Sequence, residues 1–143
     1  MGALDTAWQA ALVAEQRAAF GYGVLGPRLA EAADRAAART EQAAHVVLEA
    51  QTAAALAAAG QEPAEPAADY PDLYPIRDPS AARALALRLE EQSAAAWRYL
   101  YSTAAATPGS SGATARRHAQ AALIGSAVRA LRWRGRPVPF PGI

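Results

Sequence analysis

A proline-rich segment at residues 60–79 divides the chain into two halves, and it is the feature that most limits the possible fold. The segment, GQEPAEPAADYPDLYPIRDP, contains five prolines and shows no helical period. On both sides of it, apolar side chains recur at steps of three and four residues, which is typical of amphipathic helices. The sequence has no β-branched alternating runs and no Asn-Gly or Asp-Gly turns, so strands are not indicated. We therefore predict an all-α fold.

Start and stop signals divide the two halves into four helices. Asp78 followed by Pro79 is a typical helix start, and Gly60 is placed to end the helix before the link. The length fits a single domain. The predicted helices cover residues of about 5–30, 33–59, 79–105 and 113–134, with a crossover link at 60–78 and a C-terminal tail at 135–143.

The lengths of the connections predict how the helices are arranged. Short turns join the first two helices and the last two, so each pair should form an antiparallel hairpin. The link can extend to roughly 55 to 60 Å, whereas a helix over residues 33–59 is only roughly 40 Å long. It can therefore run the length of a bundle and leave the second helix parallel to the third. The side chains expected to anchor it are Tyr70, Leu73, Tyr74 and Ile76.

Composition excludes several classes of site. The chain has no cysteine, which rules out disulfides, thiol catalysis and cysteine-ligated metals. No apolar run reaches the roughly 18 residues of a membrane span, and the sequence begins without a basic stretch that would indicate a secretory signal. We expect a cytoplasmic protein with no membrane partner. Alanine fills 42 positions, which favours helices.

A single carboxylate interrupts the apolar face of the first helix. Glu15 lies in the middle of a stripe that otherwise consists of Leu4, Trp8, Ala11, Ala18, Tyr22, Leu25 and Leu29. A buried charge is costly unless it is paired. Glu15 should therefore bond to His45 or to a tyrosine hydroxyl such as that of Tyr22, bind a metal ion, or lie at a dimer seam or cleft.

Helix geometry brings further polar residues to the level of Glu15. If the first hairpin turns near residue 30, His45 lies at the same height on the second helix. Glu41 shares a face with His45 at a spacing of four residues, although we expect it at the solvated border of the helix. On the third helix Glu90 lies on an apolar stripe, and Glu91 is expected to face water.

Several segments resemble a known family: AWQAALVAEQRAAFGYGVLGPRL at 7–29, the helix carrying His45, LRLEEQSAAAWRYL at 87–100, and FPGI at 140–143. Together they resemble an alanine-rich actinobacterial ferritin-like domain family of unknown function. The resemblance implies a ferritin-like four-helix bundle with one long crossover. Ferritin-like metal proteins take one Glu from each of two helices and a Glu-x-x-His motif from each of the others. The positions that match are Glu15, His45 and Glu90, with Glu41 and Glu91 as alternates.

The fourth helix cannot complete a two-metal centre. It contains no Asp or Glu, and Ala115 stands where a Glu-x-x-His motif ending at His118 would have its acid. His118 is also level with Leu100 rather than with Glu90, and we expect it at the surface. At most a single iron or manganese ion could therefore be held, by Glu15, His45 and Glu90.

Basic residues dominate the last third of the chain. Residues 92–143 contain seven of the 14 arginines and no acid, although the net charge of the whole chain is only +1. Such a cluster can indicate nucleic-acid binding, but Arg116 and Arg129 lie roughly 140° apart around the fourth helix. We expect these arginines to pair with acids of the first three helices. Phe140 is expected to plug one end of the bundle.

These observations predict a non-enzymatic binding or structural module with a degenerate metal site, no cofactor, and a second copy of the chain as partner. The alternative is a mononuclear metal-binding protein or metal-dependent oxidoreductase that uses Glu15, His45 and Glu90. A second alternative is a nucleic-acid binder that acts through its arginines. No arrangement of serine, histidine and acid in the sequence suggests hydrolase chemistry.

Overall fold

The computed structural model describes residues 2–134, which fold into four α-helices and, within this range, no strand. The helices are α1 (Ala3–Leu25), α2 (Ala32–Ala58), α3 (Pro79–Ala105) and α4 (Ser110–Trp133). Short 3₁₀ turns cover Gly26–Arg28 and Pro71–Leu73. The predicted all-α fold is confirmed. None of the described helices has the length and hydrophobicity that crossing a bilayer requires.

Local chemistry explains where the helices begin and end. Asp78 caps α3 as predicted, because its carboxylate accepts a hydrogen bond of 2.7 Å from the amide of Ala81. Gly60 follows α2 with a φ of 77°, a conformation that glycine adopts at little cost. A turn of four residues joins α3 to α4. The helix α4 begins at Ser110, three residues before its predicted start.

The end of α1 differs from the prediction. The α-helix stops at Leu25 instead of near residue 30, and the chain continues as a 3₁₀ turn that contains Pro27. Proline has no amide hydrogen to continue the α-helical hydrogen bonds, and Leu29 is already extended. Leu25 and Leu29 are nevertheless both buried, so the apolar stripe continues past the end of the helix.

The link runs along α1 from one end to the other. Near its start, Gln9 bonds the backbone of Glu62 and Ala64, and further along Arg17 bonds Asp72. Near its end, Leu73 and Ile76 are buried in the same cluster as Leu25. Tyr70 also packs on Phe20, with ring centroids 5.0 Å apart. Tyr74 does not anchor the link as expected, because it is 46% exposed.

Two apolar clusters fill the interior, one on each side of a polar layer. The first contains Tyr22, Leu25, Ala38, Leu85, Leu89 and Trp133, and the second contains Trp8, Leu12, Leu56, Trp97, Leu100 and Ala119. Residue numbers run from the second cluster to the first along α1 and α4, and from the first to the second along α2 and α3. The helices of each hairpin are therefore antiparallel, and α2 is parallel to α3.

Candidate functional site

Glu15, His45 and Glu90 meet in the polar layer between the two apolar clusters. All three side chains are completely buried, although they come from α1, α2 and α3. The Nδ1 atom of His45 contacts Oε2 of Glu15, and its Nε2 atom lies 2.8 Å from Oε2 of Glu90. One imidazole thus bridges two carboxylates, and the bond between Glu15 and His45 is one of the alternatives that the sequence left open for Glu15.

The remaining carboxylate oxygens also have partners. Trp97 donates its indole N–H to Oε1 of Glu15 over 2.7 Å. Arg129 of α4 donates its Nε–H to Oε1 of Glu90 over 3.0 Å, and the hydroxyl of Tyr22 donates to Oε2 over 2.5 Å. Tyr22 therefore bonds Glu90 and not Glu15, the partner considered from the sequence.

Glu41 belongs to the same network, contrary to the expectation that it is solvated. It is only 6% exposed, because the end of α4 covers it. The indole N–H of Trp133 lies 2.7 Å from Oε2 of Glu41 and 3.0 Å from the hydroxyl of Tyr22. Arg132 forms an ion pair of 3.3 Å with Oε1 of Glu41.

The network balances its charges. Its acids are Glu15, Glu41 and Glu90, and its basic groups are His45, Arg129 and Arg132. Burying an unpaired charge is strongly unfavourable, so a balanced set is what an apolar interior requires. All four helices contribute side chains to this layer, so hydrogen bonds and ion pairs within it connect each of the four helices to the others.

Protonation of His45 follows from this arrangement. Burial by itself would lower the pKa of His45, but hydrogen bonds and charge from Glu15 and Glu90 outweigh burial and raise the pKa to about 9. Burial acts to raise the pKa of Glu90, yet the bonds from His45 and Tyr22 and the charge of Arg129 keep it below its usual range. At neutral pH His45 is therefore a cation that donates from both ring nitrogens.

The pKa values of Tyr22 and Glu41 are raised, in contrast to that of Glu90. Burial, together with the nearby charges of Glu90 and Glu41, raises the pKa of the Tyr22 phenol, so that it stays neutral and donates. Burial also raises the pKa of Glu41, although the hydrogen bond from Trp133 and the charge of Arg132 partly oppose the increase. The surroundings of Glu41 thus raise its proton affinity, whereas those of Glu90 lower it.

The donor set does not fit a metal ion in this arrangement. A metal-binding histidine must offer the lone pair of a neutral ring nitrogen, whereas both nitrogens of His45 face carboxylates as donors. The guanidinium of Arg129 adds a further positive charge beside Glu90. Within residues 2–134, no group of three His, Asp or Glu side chains is placed to hold a metal. Glu91, the alternate ligand, is exposed on the outer face of α3.

The other sequence-predicted residues lie apart from the network. His118 is half-buried rather than freely exposed, since its ring packs edge-on against Trp8 with centroids 5.4 Å apart. Phe140, predicted to plug one end of the bundle, lies outside the described residues.

Sequence reasoning missed Trp97, Trp133 and the position of Arg129. A signal existed for Arg129, because α3 and α4 were expected to be antiparallel with His118 level with Leu100. The level of Glu90 on the fourth helix then falls near residue 128, one residue from Arg129. The expectation that arginines of the last third pair with acids of the first three helices holds for Arg129 with Glu90 and for Arg132 with Glu41. Arg116 instead bonds the carbonyl of Ala104, and Arg117 bonds the hydroxyl of Thr114.

Replacing Arg129 should destabilise the fold far more than replacing Arg132. The Arg129→Gln substitution leaves the buried network one positive charge short, and removing one partner of a buried ion pair typically costs about 3–5 kcal/mol. Arg132→Gln is a matched control three residues away, and its half-exposed pair should contribute about 1 kcal/mol or less. Urea unfolding of both variants measures the difference, and equal losses would contradict the buried Arg129–Glu90 pair.

The stability of the fold should fall as the pH rises from neutral to alkaline. Because the pKa of His45 is raised from 6.5 to about 9, its protonation stabilises the fold fully below pH 6.5 and is lost as the pH passes through about 9. The loss should be on the order of 3 kcal/mol. Urea unfolding at several pH values measures it. His45→Gln should flatten this dependence and His118→Gln should retain it; the reverse result would assign the effect to His118.

Comparisons with known proteins agree with the helical architecture. The crystal structure of a conserved hypothetical protein, rv2844, from Mycobacterium tuberculosis superimposes with a TM-score of 0.82 at 27% sequence identity, covering 94% of this chain and 97% of that chain. No curated protein matches the sequence. Residues 7–143 match the family described as a domain of unknown function, DUF4439. The chain therefore belongs to the DUF4439 family.

Proposed function

We propose that this chain is a ferritin-like four-helix bundle that acts as a non-enzymatic binding or structural module. Two antiparallel hairpins, α1–α2 and α3–α4, are joined by a link that runs along α1, so that α2 and α3 are parallel. One long crossover of this kind is the connectivity of ferritin-like bundles.

The observation that carries this proposal is the position of two cations among the carboxylates. In ferritin-like metal proteins, carboxylates and histidines converge on metal ions. Here the protonated ring of His45 lies between Glu15 and Glu90, and the guanidinium of Arg129 bonds Glu90 from the fourth helix. The positive charge that metal ions would supply comes from the protein itself.

A centre of this kind supports a structural role better than a catalytic one. A general acid or base must reach the proton that it transfers, but Glu15, His45 and Glu90 are completely buried and bonded to one another. Removing any one of them would leave an unpaired charge in the interior. The network therefore fixes the register of the four helices.

The pairing of arginines also disfavours the nucleic-acid alternative. Arg129 and Arg132 are engaged with Glu90 and Glu41, and Arg83 forms an ion pair of 2.6 Å with Asp34. Guanidinium groups already bonded to carboxylates are less available to neutralise phosphates. We propose instead that the partner is a second copy of the chain.

Metal loading tests the proposed function directly. Protein from iron- and manganese-supplemented medium, reloaded anaerobically with Fe²⁺ or Mn²⁺, should contain no stoichiometric metal by elemental analysis. Its thermal midpoint should also stay unchanged, because a metal would have to displace the proton of His45 and the guanidinium of Arg129.

Glu90→Gln and Glu91→Gln provide a matched pair for this experiment, since Glu90 is buried and its neighbour Glu91 is exposed. Stoichiometric metal that is lost in Glu90→Gln and kept in Glu91→Gln would overturn the proposal. That result would establish the mononuclear metal site at Glu15, His45 and Glu90.

A further inference from the structure

Neighbouring helices of the bundle meet along four seams, and one of these seams is open. In the described part of the chain, α1 packs closely against α2 and α3, and α3 packs closely against α4, but α2 and α4 do not meet in this way. A groove of about 320 Å³ lies between α2 and α4. The fold thus leaves space for another molecule between two of its helices.

The walls of this groove are apolar along most of its length. They consist of small and aliphatic side chains, namely Ala44, Val47 and Leu48 of α2 and Ala121, Ala122 and Gly125 of α4. On α4 the lining residues extend from His118 to Arg129, which is roughly 16 Å along the helix axis. Gln51 lies with His118 at one end, and Arg129 forms the other. The groove is therefore long and apolar, with polar groups at its two ends.

The guanidinium of Arg129 is held in position at its end of the groove. Its Nε–H donates to Glu90 over 3.0 Å, and one of its terminal nitrogens lies 3.4 Å from the hydroxyl of Ser126. The side chain is only 14% exposed, so few water molecules can reach it. A β-carbon at Gly125 would lie 3.0 Å from the other terminal nitrogen. The missing side chain at Gly125 therefore leaves room in the groove beside that nitrogen.

Charges alternate in sign from the interior of the bundle towards this groove. The order is Glu15, His45, Glu90 and Arg129, each in contact with the next. Glu90 is shared between two cations, so it does not fully neutralise Arg129. In the described part of the chain, the groove is lined by no Asp or Glu side chain. A negative group placed beside Arg129 would continue the alternation and be attracted at short range.

We propose that the groove binds a straight-chain fatty acid, with the carboxylate at Arg129 and the acyl chain along the apolar walls towards His118. Arginine pairs well with carboxylates, and hydrogen bonds between charged groups are the strong ones. The acyl chain gains stability by leaving water. A slim chain also fits a guanidinium that is too recessed for a nucleic-acid backbone to reach.

Both parts of the ligand are needed to match the groove. A wholly apolar occupant would cover the terminal nitrogen of Arg129 without pairing it, which is unfavourable. A small anion such as phosphate would leave the apolar walls in contact with water. The inference rests on the proposed binding role of the chain and names the class of molecule that is bound.

Isothermal titration calorimetry at neutral pH with decanoate, decanol and acetate tests the two parts separately. Decanoate should bind at one site and raise the thermal midpoint, because a ligand of the folded state stabilises it. Decanol lacks the charge and acetate lacks the chain, so each should bind more weakly by about tenfold or more. Equal affinity for decanoate and decanol would overturn the pairing with Arg129.

Two alanine substitutions on α4 locate the site. Ala121 and Ala127 are both exposed, but Ala121 lines this groove and Ala127 lines the opposite side of the helix, beside α3. Ala121→Leu should narrow the groove and weaken decanoate binding by about tenfold, whereas Ala127→Leu should keep the wild-type affinity. Both residues are good helix formers, so the thermal midpoint without ligand should stay unchanged in both variants.

Arg129→Lys tests the carboxylate site while keeping the positive charge beside Glu90. An ammonium group lacks the planar fork that pairs with two carboxylates at once, so decanoate should bind about tenfold more weakly. His118→Gln, at the far end of the groove, should leave the affinity unchanged. Circular dichroism checks that both variants are folded, and the alanine pair gives the same test if Arg129→Lys is not.

The outcomes separate this inference from the proposed function. No decanoate binding to the wild-type chain, binding that survives Ala121→Leu, or equal loss in Ala127→Leu would overturn the groove as its site. A ligand-free dimer in sedimentation equilibrium that Ala121→Leu dissociates and Ala127→Leu does not would assign the groove to a second copy and also overturn it. Stoichiometric metal lost in Glu90→Gln would overturn the proposed function instead, and decanoate titration does not affect that result.

Discussion

A protonated imidazole between two buried carboxylates is the interaction on which the rest of this structure depends. His45 contacts Glu15 through one ring nitrogen and Glu90 through the other. The three charged groups can be buried in an apolar interior only together, because a buried charge without its partner destabilises the fold by several kcal/mol. Three helices must therefore keep one register relative to one another, and Arg129 extends the constraint to the fourth.

Packing above and below the polar layer is consistent with this constraint. One apolar cluster gathers around Tyr22 and Trp133, and the other gathers around Trp8 and Trp97. Trp97 and Trp133 also donate their indole N–H groups to the network, so each joins an apolar cluster to the polar layer. Arg129 also has two kinds of neighbour, since it bonds Glu90 on one side and lines a groove between α2 and α4 on the other.

Much of the helical organisation could be predicted because it follows from local chemistry. The cap at Asp78, the stop at Gly60 and the apolar periods depend on residues close in sequence. The link could be predicted to be long enough because its reach depends only on its length. The placement of Glu15 beside His45 followed from helix rise and the position of one short turn.

The remainder of the site depends on packing between helices that are distant in sequence. The level of α4 relative to α3 determines that Arg129 meets Glu90, and an error of one residue turns a side chain by about 100° around a helix. Glu41 shares a helix face with His45, but its burial also depends on Trp133, which covers it from α4 and which no pattern within α2 could indicate. Tyr74 is exposed although Leu73 and Ile76 are buried. Which of these side chains points inward depends on how the link packs, and the local sequence does not indicate that.

The protonation state of His45 is the most direct test of this account. Nitrogen NMR of the imidazole ring reports whether each nitrogen carries a proton, and a pH titration reports the pKa. The account predicts a ring protonated at both nitrogens at neutral pH that loses a proton only near pH 9. A neutral ring with one unprotonated nitrogen at pH 7.5, titrating near the ordinary value of 6.5, would contradict it.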